Sequence, residues 1–308
     1  MIKEIAIIGA GGKMGSWFLK YFSNRKDARL LLYDSNMSSI KPSIKAIVCK
    51  NLVDCVANAD LVLICVPVRN TPKIIKECAS KMKSGAILAE ISSVKHQVFT
   101  KLKKVRNDIK PLCIHPMFGG GARSMKKMKI LLIPVNNEED EVRILNSVFV
   151  GAIIIVIPNA NIHDKMIAVI LGLTYFTNIA FASIISKENI SKLKEVSGTT
   201  FRIQSLISES ILIDEPDLFI ALFTANPAVK RYIQNYIKEL NNFKKMIFEN
   251  NHIKLRARLV RIKSHIQKQQ QDLHISYRQM YSLIERLEEE DSKNQYNQDK
   301  FSPCKLSS

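Results

Sequence analysis

The first half of the chain alternates short, unbroken apolar runs with segments whose apolar positions recur at helical spacing. Runs at residues 4–8, 29–33, 61–66, 86–91, 112–114, 129–134 and 152–157 predict strands. Their continuous apolar character is that of strands covered on both faces. Between them, residues 14–24, 70–82 and 138–149 predict helices, and such alternation specifies a parallel sheet with crossover helices. After Pro158 the texture changes. No further strand is predicted, and helices are expected over 162–186, 189–196, 200–213, 216–223 and 227–249. Pro216, behind Asp214-Glu215, and Pro227 stand as helix-start prolines. A basic amphipathic stretch follows over 252–290, then a polar end. The expected organisation is an α/β domain with a mostly parallel sheet over 1–157, an all-helical domain over 158–290, and a disordered tail over 291–308.

Residues 166–185 carry no charge and approach the length that spans a bilayer. The run includes Thr174, Tyr175, Thr177, Asn178 and Ser183, stands alone, and follows directly on His163-Asp164-Lys165. A helix apolar on all sides can equally be the buried centre of a large or dimeric helical domain. That reading is preferred, and no membrane association is expected.

Composition narrows the class. With 46% hydrophobic and 24% charged residues, the chain is globular rather than disordered. Its six cysteines form no C-x-x-C pair, and several lie inside apolar runs such as Leu63-Ile64-Cys65-Val66. That spacing disfavours a metal site or a disulfide framework and points to a reducing, cytoplasmic compartment. The start, MIKEIAIIGAGG, reads as a first core strand rather than a signal peptide. The basic excess, 46 Lys+Arg against 28 Asp+Glu, is spread over the whole chain and would favour anionic ligands. It concentrates at 253–268, where Lys254, Arg256, Arg258, Arg261, Lys263 and Lys268 occur without an acid. No aromatic residue interleaves them, so a solvated helix face is preferred over a nucleic-acid contact.

The densest chemical signal is Gly9-Ala10-Gly11-Gly12-Lys13-Met14-Gly15, which follows the first strand and opens the first helix. Read from Gly9, the sixth position of the dinucleotide fingerprint is Met14. Read from Ala10, the pattern is Ala10-x-Gly12-x-x-Gly15, with alanine in the tight-turn place. Small residues here let the backbone approach a pyrophosphate whose charge the helix N-terminus stabilises. A glycine-rich run alone can be only a turn. Here the next strand leads into Asp34, placed where a carboxylate binds the adenosine ribose, although Asp34 also suits a turn before Ser35-Asn36. No arginine follows directly, so NAD is expected rather than NADP. With Val66 and Pro67 at the end of another strand, these residues form the candidate cofactor site of a Rossmann-type domain.

A second constellation comes from strand ends on the same side of the sheet. Ser92-Ser93-Val94-Lys95 follows one predicted strand and His115-Pro116-Met117-Phe118-Gly119 the next. A histidine at the lip of a cofactor cleft suits a general base near neutral pH. It can equally satisfy a loop carbonyl.

Gly11–Gly15, Ser93-Val94-Lys95, His115-Pro116-Met117-Phe118-Gly119, His163-Asp164-Lys165-Met166, Leu173-Thr174-Tyr175-Phe176 and Asn226-Pro227 occur in a familiar order and spacing. On these motifs the chain resembles the prephenate/arogenate dehydrogenases of tyrosine biosynthesis over about residues 1–245, most closely the archaeal and enterobacterial types. The resemblance implies NAD-dependent oxidative decarboxylation of prephenate to 4-hydroxyphenylpyruvate, or the corresponding reaction of arogenate. Neither a preceding chorismate mutase domain nor a following ACT-type domain is expected. Carried to matching positions, His115 accepts the 4-hydroxyl proton and Ser93 orients that hydroxyl or the imidazole. Lys95, His163 and Thr174 line the substrate region, although His163 can equally be a helix-start residue locked by Asp164. The family's helical domain implies a homodimer.

The chain also departs from the family. An arginine that pairs with a substrate carboxylate is replaced, by ungapped alignment, by Ser210, which cannot supply a bidentate charge-assisted contact. Arg202 on the same predicted helix and Arg123 after His115 are the candidate replacements. Tyr175 stands where archaeal relatives commonly have histidine. Two other readings stay open. One is another Rossmann dehydrogenase with a helical second domain, which leaves the motif at His115 unexplained. The other is a non-catalytic nucleotide sensor, which gives Ser93 and His115 no reason to persist.

Overall fold

A computed structural model describes residues 2–41, 46–269 and 272–301, with side chains described as far as 289. Packing divides the chain into two compact units, Met1–Thr174 with Glu215–Tyr232, and Tyr175–Asp214 with the chain from Ile233 onward.

In the first unit, β1 (Glu4–Ile8), β2 (Arg29–Tyr33), β3 (Ala46–Val48), β4 (Leu61–Ile64), β5 (Ile87–Glu90), β6 (Lys110–Pro116), β7 (Lys129–Ile133) and β8 (Ile153–Val156) form one sheet. Its order is β3-β2-β1-β4-β5-β6-β7-β8. Every neighbouring pair is parallel except β6–β7. No helix lies between β6 and β7, so the chain returns antiparallel there. The strands are accompanied by α1 (Lys13–Phe22), α2 (Leu52–Val56), α3 (Thr71–Lys81), α4 (His96–Leu102) and α5 (Glu138–Val148). Ile5, Ile7, Leu30, Leu32, Leu61 and Leu63 are buried in the central strands. Phe18 and Phe22 present one face of α1 to Phe149, with ring centroids 5.7 and 6.1 Å away. Each of these buried side chains contributes about 1.5–3 kcal/mol by leaving water.

Sequence pattern missed β3, α2 and α4. These are short elements, and β3 is an edge strand whose Ile47 and Val48 are exposed. β6 also runs further than expected. His115 pairs with Leu131 of β7 and lies inside the strand rather than in a loop beyond it.

After β8 come α6 (Ala160–Ile167), a π-helical turn (Ala168–Leu173) and α7 (Thr174–Ile185), which together make one helix over Ala160–Ile185. By length and composition it is apolar enough to cross a membrane, with mean hydropathy 1.9, yet it carries buried polar groups. His163 and Asp164 are buried in the first unit. In the second, buried Asn178 accepts hydrogen bonds from Gln204 and Ser208, both at 2.8 Å. Such pairing belongs to a protein interior. Met166, Val169, Ile170 and Ile184 remain exposed on the same helix.

The remaining helices are α8 (Ile190–Glu195), α9 (Thr199–Ile211), α10 (Pro216–Ala225), α11 (Pro227–Phe248), α12 (His252–Gln269) and α13 (Leu273–Phe301). Division by packing differs from a cut at residue 157. α6, α10 and the start of α11 belong with the sheet. A Cβ on Gly172 would stand only 2.7 Å from Val229, and the Asn226 amide donates to the Asp164 carbonyl at 2.8 Å. The basic stretch forms two helices, α12 and α13, and the second continues through 291–301, where a tail was expected. Residues 302–308 of that tail lie outside the described residues.

Candidate active site

β1 lies between β2 and β4, so successive connections leave it in opposite directions. Open α/β sheets take ligands at this switch point. Gly9 makes the tight turn there. Its φ is +85°, and an added Cβ would lie 2.7 Å from the Cys65 carbonyl oxygen. The turn is therefore one residue earlier than the Ala10 reading placed it, and Ala10 instead packs into the core. Gly15 lets α1 start against this turn, because a Cβ would overlap the Gly9 carbonyl and reach within 2.8 Å of Ala10 Cα. A Cβ on Gly11 would overlap Ser39. Gly12 caps α1 without a side-chain bond, and no acid occupies the first turn that Lys13 and Met14 begin. The positive end of the helix therefore faces a cradle kept open by glycines, which suits a phosphate.

Asp34 adjoins this cradle. One carboxylate oxygen accepts the Gly11 N–H at 3.0 Å and the other accepts the Asn36 N–H at 3.0 Å. It thus forms the turn after β2 and ties that turn to the glycine loop. Val66 and Pro67 follow β4 across the switch point, with Val66 Cγ1 3.1 Å from the Cβ position of Gly9. The loop after β6 is anchored to α1 by the Trp17 indole N–H, which donates to the Ala122 carbonyl at 2.6 Å. Arg123, next in that loop, is exposed.

A buried polar cluster stands at the ends of β5 and β6. His115 Nδ1 lies 3.0 Å from His163 Nε2, and His163 Nδ1 lies 2.8 Å from Asp164 Oδ1. The Asp164 carboxylate also accepts the main-chain N–H groups of Lys95 and His96, both at 2.9 Å. Lys95 donates to Glu90 Oε1 at 2.6 Å and to the Ile114 carbonyl at 2.5 Å. His115 is only 4% exposed. Its pKa is held well below the ordinary histidine value by burial, then by the Lys95 charge and by His163. Burial also lowers that of His163, against the opposing pull of its Asp164 hydrogen bond. His115 is accordingly a neutral imidazole at neutral pH. Its Nε2 makes no hydrogen bond among the described residues.

His115 and His163 are joined directly. Ser93, two residues before Lys95, is half-buried, and no hydrogen bond links it to His115 among the described residues. Lys95 is completely enclosed. That corrects its placement as a substrate-lining cation, because both ends of its ammonium contacts are protein groups. The others have different partners. Thr174 bonds back to the Val169 carbonyl at 3.3 Å. Arg202, in the second unit, pairs with Glu288 at 2.6 Å. Ser210 caps back onto the Ile207 carbonyl at 2.8 Å. On α12, Arg258 pairs with Glu239 at 2.5 Å while Lys254, Arg261 and Lys268 are exposed.

Sequence reasoning assigned no role to Glu90. Its signal was a single carboxylate within the otherwise apolar strand Ile87–Glu90, since such a group is buried only with a partner. Asp164 was read only as a lock on His163.

Comparison with known proteins gives two family matches. The family model described as "Prephenate dehydrogenase, nucleotide-binding domain" matches residues 21–157. That described as "Prephenate dehydrogenase, dimerization domain" matches residues 159–262. A "Probable arogenate/prephenate dehydrogenase" of Methanocaldococcus jannaschii is 23% identical over 254 residues, covering 79% of this chain and 56% of the relative. The "T-protein" of Haemophilus influenzae is 25% identical over 255 residues, covering 81% of this chain and 63% of the relative. The chain thus spans less than two thirds of the length of either. Among solved structures, prephenate dehydrogenase from A. aeolicus, in complex with hydroxyphenyl propionate and NAD+, shares the fold. Its TM-score is 0.69 at 20% identity, covering 88% of this chain and 99% of that one.

Proposed function

The chain belongs to the prephenate dehydrogenase family, and on that premise we propose that it catalyses an NAD-dependent oxidative decarboxylation, with prephenate as substrate ahead of arogenate. One observation carries the reading. A neutral histidine, His115, stands on the same edge of the sheet as the glycine cradle, with Nδ1 engaged by His163 and Nε2 without a protein partner among the described residues.

The cradle at Gly9–Gly15 fits a dinucleotide pyrophosphate, and Asp34 fits the ribose hydroxyls of NAD. When bound, NAD supplies the acceptor for the hydride leaving ring C4. His115 Nε2 takes the 4-hydroxyl proton as that hydride departs, which forms the C4 carbonyl. The bond from the ring to its carboxylate then breaks, carbon dioxide leaves, and the electron pair runs through the ring to the oxygen. His115 returns the proton to the resulting phenolate. Ser93 is proposed to orient the hydroxyl. Arg123 is proposed to meet a substrate carboxylate, because Arg202 is already paired with Glu288.

The exposed apolar positions Met166, Val169, Ile170 and Ile184 support a homodimer through the helical region. A cytoplasmic location fits the unpaired thiols of Cys49, Cys55, Cys65, Cys78 and Cys113.

His115→Asn tests the role of the base. Turnover is expected to fall by about 10²–10⁴-fold with NAD affinity nearly unchanged. Parallel loss of both would make His115 a structural residue.

A further inference from the structure

We propose that His163 and Asp164 are positioning residues that fix the tautomer of His115, keeping its proton on Nδ1 and its lone pair on Nε2. This assignment rests on the reading of His115 as the base and adds two residues that need not touch substrate.

The chain of donors and acceptors admits one consistent solution. Asp164 Oδ1 accepts the Lys95 N–H and Oδ2 accepts the His96 N–H, each at 2.9 Å. A carboxylate fixed by main-chain donors on both oxygens is stabilised as the anion, which can only accept. His163 Nδ1, 2.8 Å from Oδ1, must therefore carry a hydrogen. A neutral imidazole has one N–H, so His163 Nε2 is left as an acceptor. His115 Nδ1, 3.0 Å away, then donates to it, and His115 Nε2 holds the lone pair. The opposite tautomer would set the lone pair of His163 Nδ1 against the Asp164 carboxylate. His163 is 0% exposed, so water cannot relieve that clash.

The surroundings add to the effect. The ionisable groups acting on the two rings are Lys95, Glu90 on β5 and Asp164 on α6. Lys95 opposes a second positive charge here. The Asp164 carboxylate offsets this through His163 once His115 has taken its proton. No proton needs to pass along the chain, because the gain is one of orientation.

Two measurements test the assignment. The first is nitrogen NMR of the full protein with ¹⁵N-labelled histidine, the His115 signals being assigned by their loss in His115→Asn. It should show Nε2 of His115 unprotonated and Nδ1 bearing the hydrogen, and the reverse pattern would overturn the proposal. The second is steady-state kinetics of His163→Phe and His163→Gln. In His163→Phe, kcat should drop roughly 10- to 100-fold with KM for NAD and substrate within about twofold. His163→Gln, whose amide oxygen can accept from Nδ1, should recover part of the loss. Wild-type kcat in both variants would overturn the positioning role. If the NMR pattern holds but the wild-type protein turns over neither prephenate nor arogenate, the tautomer assignment stands and the functional reading falls.

Discussion

The ammonium of Lys95 lies 2.6 Å from Glu90 Oε1, and neither side chain is exposed to solvent. Glu90 also accepts the Ser92 N–H at 2.8 Å and lies 3.3 Å from the Cys113 thiol, while Lys95 reaches the Ile114 carbonyl. The pair thereby fastens the end of β5 to β6 one residue before His115. Removing one member leaves the other charge buried and alone. Lys95→Met is expected to destabilise the protein by about 3–5 kcal/mol, and adding Glu90→Gln should recover a large part of that. Urea unfolding of the single and double variants measures both. A single variant as stable as wild type would show that the pair is not sealed from water.

Activity should persist into mildly acidic solution. Base catalysis needs neutral His115, so kcat/KM falls as pH drops through its pKa. Burial, Lys95 and His163 hold that pKa well below the usual histidine value. The acid limb is therefore expected below about pH 6.5. Stability follows the same sign. Between the folded-state pKa and the unfolded value, the unfolded chain binds a proton that the folded chain refuses. Stability thus declines as pH falls through that window and levels off beneath it. Rate profiles and urea unfolding across pH check the two limbs, and an acid limb at or above the ordinary histidine value would contradict the burial argument.

The glycine cradle should fail sharply on minimal change. Gly15→Ala places a methyl group on the Gly9 carbonyl, and the main chain must shift to admit it. NAD affinity is expected to fall at least about tenfold, with loss of roughly 1–3 kcal/mol in stability. Asp34→Arg also removes the acceptor of the Gly11 and Asn36 N–H groups, so some stability is lost with it, but it should move preference from NAD towards NADP. Isothermal titration with both nucleotides separates the two effects.

How much of this was legible in the sequence depended on the range of the interaction. Uninterrupted apolar runs gave every strand except β3, whose three residues at the sheet edge are too few and too exposed to form a pattern. The glycine turn, Asp34 and His115 were visible because each belongs to a local motif. The frame of the turn was misread by one residue because Gly9 and Ala10 are both small, and only the backbone angle distinguishes them. The link from His115 to His163 spans 48 residues, and that from Lys95 to Asp164 spans 69, so spacing along the chain shows neither. Lys95 looked like a ligand for substrate because the lone carboxylate of the apolar strand before it, Glu90, carries no mark in sequence of which cation it pairs with.

The cation opposite the substrate carboxylate can be identified by kinetics. Arg123→Gln is expected to raise substrate KM about tenfold or more with a smaller change in kcat, while Arg202→Gln has little effect. Glu288→Gln offers the control, because it removes the 2.6 Å ion pair with Arg202. If Glu288→Gln lowers KM and Arg123→Gln leaves it unchanged, Arg202 is the substrate ligand instead.

The most direct measurement is NADH formation followed by absorbance, with the purified protein, NAD, and prephenate or arogenate in parallel. Turnover of prephenate, exceeding that of arogenate and lost in His115→Asn, is the predicted result. Absence of turnover with both substrates, in protein shown separately to bind NAD, would contradict the account and leave a nucleotide-binding protein of another kind.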